Sequence, residues 1–98
     1  MLNDIITKIN DAYRGIPTPC ERIFDLLKQL LEVSGYSPYV SGESKKITKL
    51  IKRTNIDIVK IEHRWDYEFG SAMMTYVTFS SWSEDKEWGV VCFEYCWG

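Results

Sequence analysis

The sequence predicts an α+β fold: three N-terminal helices followed by a three-stranded antiparallel β-meander, with the helices packed on one sheet face. Two observations predict it. Up to Thr54 the apolar residues recur at helical spacing. From Ile56 onward they fall in β-branched and aromatic runs separated by short polar turns. No repeat, low-complexity segment or long linker interrupts the chain. Residues 1–98 are therefore expected to form a single domain, helical over about 1–54 and sheet over about 55–98.

The first helix is expected from Asn3 to Arg14. Leu2, Ile5, Ile6, Ile9, Ala12 and Tyr13 share one face, with Asn3 as N-cap, Asp4 in the first turn and Gly15 and Pro17 as terminators. The second starts at Thr18-Pro19-Cys20-Glu21. There a Thr cap, a Pro at the first helical position and a Glu three residues after the cap can satisfy unpaired backbone N–H groups. Ile23, Phe24, Leu26, Leu27, Leu30 and Leu31 give this helix a wide apolar face, and Gly35 ends it. The third spans about Ser44 to Thr54. Ile47, Leu50 and Ile51 lie on one side, and Lys45, Lys46, Lys49, Lys52 and Arg53 on the other.

Three strands follow. Ile56–Tyr67 alternates, with Val59, Ile61, His63, Trp65 and Tyr67 on one face and Lys60, Glu62, Arg64 and Asp66 on the other. Residues 68–71 form a turn, Ala72–Trp82 the second strand, residues 83–86 another turn, and Trp88–Trp97 the third strand. Short turns between neighbouring strands require antiparallel pairing.

Composition narrows the chemistry. At 45% hydrophobic and 27% charged residues the chain is that of an ordinary globular protein, and its net charge of −2 argues against a uniformly basic coat protein. No apolar run approaches the roughly 20 residues of a membrane helix, so no membrane partner is expected. The N-terminus shows no secretory signal, and three Cys is an odd count. Both point to a reducing, cytoplasmic compartment.

An enzyme is not expected, nor a cofactor or a metal. On one strand, Cys92 and Cys96 point the same way about 13 Å apart, too far to share a zinc ion or a disulfide. They read as small residues filling space in the sheet. Cys20 sits in a helical first turn, where a thiol pKa can fall, and His63 is the single imidazole. No local signature of nucleophilic catalysis surrounds either residue. The carboxylates at 62, 66, 68, 84, 85 and 87 read as solvated charge, and the glycines form no phosphate loop.

Binding remains, and the charges are divided. Residues 1–54 carry nine basic and six acidic groups, whereas residues 55–98 carry three basic and eight acidic groups and ten of the 14 aromatics. One sheet face cannot hide ten aromatics, so several are expected at the surface. The expected partner surface is Trp82, Glu84, Asp85, Glu87 and Trp88. The expected function is a small protein-binding inhibitor that occludes a target protein, such as a toxin or nuclease. Immunity proteins and phage anti-defence proteins, anti-CRISPR proteins among them, form a class of similar size and acidity.

The alternative is nucleic-acid binding through the basic third helix, with Lys45, Lys49, Lys52 and Arg53 on phosphates. Three helices followed by a hairpin resemble the order of winged-helix DNA-binding domains. Here, however, the connection before the third helix contains Pro38 and Gly42 and is longer than a helix-turn-helix turn, and the hairpin is acidic. A third possibility is self-association through the sheet edge or its aromatic face.

Overall fold

The computed structural model describes residues 1–14, 20–37, 42–66, 72–82 and 88–97. Three helices, α1 (Leu2–Arg14), α2 (Cys20–Ser34) and α3 (Glu43–Lys52), precede three strands, β1 (Ile58–Asp66), β2 (Ala72–Trp82) and β3 (Trp88–Trp97). The strands form one antiparallel sheet in the order β1-β2-β3. This is the predicted α+β arrangement. Thr18, Pro19 and both expected turns lie outside the described residues.

The helical spacing produces the core directly. Ile9 of α1, Ile23, Leu26, Leu27, Leu30 and Leu31 of α2, and Ile47 and Ile51 of α3 are buried, together with Val77 and Phe79 of β2. Each aliphatic side chain so buried contributes about 1.5–3 kcal/mol against the entropy of ordering the chain. α1 packs on α2, α2 lies against β3, and α3 against β1. Phe24 of α2 meets Phe79 edge-on at 5.8 Å and Phe93 at 5.7 Å, which seats the helix on the sheet.

Four boundary expectations need correction. Asn3 is not the cap: α1 begins at Leu2, and the Ile5 N–H donates to the Met1 carbonyl at 3.2 Å. Asn3 Oδ1 instead accepts from Arg53 Nη2 at 2.8 Å, tying α1 to the end of α3. α3 starts one residue early, after Gly42 in the left-handed region (φ 87°), and stops at Lys52. Thr54, expected inside α3, turns out of it and donates its hydroxyl to the Ile51 carbonyl at 2.7 Å.

The fourth correction changes a face. Ile58 lies across from Phe79 and Lys60 across from Thr78, so β1 carries one extra residue between them. A bulge of this kind reverses the side-chain parity. Ile58 therefore joins Ile61 against the core, and Val59, expected on the buried face, is 61% exposed.

Tyr13 closes the same end of the sheet. The Ser80 N–H donates to the Asp57 carbonyl at 3.0 Å, as a ladder pair requires. The reciprocal bond is replaced by the Tyr13 hydroxyl, which accepts from the Asp57 N–H at 3.2 Å and donates to the Ser80 carbonyl. Burial raises the phenol pKa.

Candidate functional site

The helices cover one sheet face. In β2, Thr75, Val77, Phe79 and Ser81 are buried on that side, while Met74, Tyr76, Thr78, Ser80 and Trp82 between them keep part of their surface. In β3, Phe93 and Trp97 are buried, whereas Val90, Cys92, Glu94 and Cys96 are exposed. In β1, Glu62 accepts from Lys60 Nζ at 2.9 Å and Arg64 Nε at 3.1 Å. The Arg64 guanidinium lies 4.5 Å from the centre of the Tyr76 ring. The open face thus runs from a charged ladder on β1, through Met74 and Tyr76, to an apolar and thiol-bearing row on β3.

The expected partner surface is placed only in part. Glu84, Asp85 and Glu87 lie outside the described residues. Trp82 and Trp88 face one another across the β2–β3 pair, with ring centres 6.4 Å apart. Trp88 also meets Tyr13 edge-on at 5.8 Å, yet keeps 55% of its surface. It is held from two sides and still exposed, a rigid anchor of the kind that costs little entropy to bury in a partner. Of the other aromatics in the sheet part, Trp65 is 41% exposed, while Phe79, Phe93 and Trp97 are in the core.

The basic residues of the third helix are gathered more fully. Lys45, Lys49 and Lys52 line one cleft of about 320 Å³ with Ser44, Thr48 and His63 of β1. Their i, i+4, i+7 spacing aligns them along α3, and they form no ion pair among the described residues. Arg53, grouped with them from sequence, is on a neighbouring depression with Tyr36, Lys46, Lys49 and Leu50, and its guanidinium holds Asn3. Lys46 pairs with Glu43 at 3.0 Å.

His63 forms the inner wall of that cleft, and its tautomer follows from its neighbours. The Thr48 hydroxyl donates to the Ser44 carbonyl at 2.9 Å, so it has only acceptor capacity left for His63 Nε2 at 2.8 Å. His63 Nε2 therefore carries the proton. Nδ1 then accepts from the Thr75 hydroxyl at 2.8 Å, and Thr75 in turn accepts from Trp97 Nε1 at 2.8 Å. One directed chain runs from Trp97 through Thr75, His63 and Thr48 to the α3 backbone. Burial lowers the His63 pKa, which favours this neutral form. Sequence reading assigned His63 to the correct face but not to this chain. Its partners come from three other elements.

The remaining sequence candidates behave as follows. Burial, and then the adjacent Glu21, push the Cys20 thiol pKa up, the opposite of the lowering expected at a helix start. Cys92 and Cys96 do not fill space: both are exposed free thiols. The hydrogen bond from Lys60 holds the Glu62 carboxyl below the usual range, so it does not act as a proton donor near neutrality. Among the described residues no three metal-ligating side chains cluster, and no helix is long and apolar enough to cross a membrane.

Fold and surface together define a class: a small α+β protein whose helices cover one side of a meander, leaving a mixed aromatic face and a lysine-lined cleft. Comparison with family models, curated proteins and solved structures found no match.

Proposed function

We propose that this chain is a small non-enzymatic binding protein that occludes a target protein through the open face of its sheet. The observation that carries the reading is Trp88, braced by Trp82 and Tyr13 yet more than half exposed, beside the exposed Val90. The acidic residues Glu84, Asp85 and Glu87 belong to the segment joining these two tryptophans and would give the anchor a charged rim. Such a surface suits a basic target, for example the substrate channel of a nuclease. Immunity proteins and phage anti-defence inhibitors, anti-CRISPR proteins included, act in this way as a class, and a cytoplasmic site of action belongs to the same proposal.

The test is capture of a target from host lysate, followed by affinity measurement with the purified target. Trp88→Ala should weaken binding by at least tenfold, the loss of roughly 1.4 kcal/mol or more typical of a buried aromatic anchor. Charge reversal of Glu84, Asp85 and Glu87 to Lys should slow association and flatten its salt dependence. Unchanged binding in both variants would reject this face.

A second reading has its own observation. Lys45, Lys49 and Lys52 form no ion pair among the described residues and line one cleft, an arrangement suited to phosphate contacts. Under this reading, a low-salt gel shift would weaken on Lys49→Glu, while Trp88→Ala would leave it unchanged.

A further inference from the structure

The two edges of the sheet are built differently. β1 carries the devices that normally protect an edge: a bulge at Val59 and the charged row Lys60, Glu62 and Arg64. β3 has none of them. Its ten residues contain no proline and no lysine and a single charge, Glu94, and its register against β2 is unbroken from Met73↔Trp97 to Trp82↔Trp88.

The ladder shows which β3 groups are free. The Ser80 N–H bonds toward β1, so even-numbered residues of β2 turn their backbone groups to β1 and odd-numbered ones to β3. Val91, Phe93, Tyr95 and Trp97 therefore bond inward to β2. The N–H and C=O groups of Val90, Cys92, Glu94 and Cys96 point to the open edge, where no strand among the described residues meets them.

We propose that this edge pairs with a second copy of the chain, antiparallel across a two-fold axis at Cys92, giving a continuous six-stranded sheet. Self-pairing of a strand in one sheet must keep each face on its own side, so opposed residues share parity. Only centres at Cys92 and Phe93 overlap nearly the whole strand. Charge separates the two. Centring on Cys92 places the two Glu94 residues four positions apart, about 13 Å, beyond the roughly 8 Å screening length at physiological salt. Centring on Phe93 brings them to about 7 Å on the same face.

The Cys92 register also pairs well on the helix side. Val91 opposes Phe93 of the second copy, and Gly89 opposes its Tyr95. Among the described residues nothing lies within 4 Å of a Cβ built at Gly89, so that side of the strand is open opposite Tyr95. Val90, Cys92 and Glu94 from both copies exchange roughly six backbone hydrogen bonds.

Light scattering of the full chain at micromolar concentration should give twice the 11.5 kDa of one chain. A mass of 11.5 kDa overturns the proposal and leaves the edge to a strand of some other protein. Cys92→Pro removes only an outward N–H, so it should keep the circular dichroism of the native chain and halve the mass. Val90→Lys, an edge charge, should do the same where proline costs the fold. A folded Cys92→Pro or Val90→Lys variant that remains double in mass overturns the edge assignment.

Register is tested by mild oxidation, because a disulfide needs directly opposed thiols and a Phe93 axis would hold the two Cys92 residues too far apart for one. A C20S/C96S chain, with Cys92 alone, should cross-link to near completion. A C20S/C92S chain should not, because its Cys96 residues lie eight positions apart, about 27 Å. Failure of the first chain to cross-link overturns the Cys92 axis. None of these measurements needs a target, so their failure leaves the proposed function standing, and its failure leaves them standing.

Discussion

His63 is where single residues matter most. Its Nδ1 has no room for a proton without turning the Thr75 hydroxyl away, and burial already lowers its pKa. The unfolded imidazole takes up a proton near pH 6.5, whereas the folded one does so only at lower pH. Below about pH 6.5 the unfolded chain thus binds more protons, and stability falls as pH drops, levelling off once the folded ring titrates. Thermal melts between pH 7.5 and 5 should show this slope, and His63→Gln should remove most of it. A wild-type melting temperature flat across that range would contradict the lowered proton affinity of the folded ring. Sequence alternation assigned His63 to the inner face. Thr48, Thr75 and Trp97, however, come from α3, β2 and β3, and no local pattern records that they converge.

At the scale of elements, punctuation decides where each piece stops. Gly35 ends α2 with φ of 64°, its N–H donating to the Glu32 carbonyl at 3.2 Å. Among the described residues a Cβ there would meet nothing within 4 Å, so the cost of Gly35→Ala is conformational, about 1 kcal/mol, readable in urea unfolding. β2 and β3 could be read from sequence to the residue, because Gly-containing or charge-rich segments bracket runs of strand-forming side chains. The face of Val59 could not. The bulge that turns it outward arises where β1 meets β2, and alternation counted along one strand does not register an extra residue. The end of α3 was missed for a related reason: Arg53 and Thr54 continue the helical pattern, but their hydrogen bonds are those of a closing turn.

For the whole molecule, stability rests on one cluster shared by helices and strands. Phe79, fully buried between Phe24 and the rest of the core, joins the two layers. Phe79→Ala should cost about 3–5 kcal/mol, a large share of the 5–15 kcal/mol expected for a domain of this size, with a matching drop in the urea midpoint. The sequence by itself determined the order of elements, their apolar faces and the division of charge between helices and sheet. Those depend on spacing along the chain and on side-chain chemistry, which the sequence states outright. Tertiary structure decided which surfaces are open. Helix cover on one side exposed Trp88 and Val90. Packing of α3 on β1 turned three lysines of an amphipathic helix into one wall of a cleft with His63. The lateral order of the strands left β3, the least protected strand, at an edge. Each depends on which element lies beside which, and that is fixed only when the core closes.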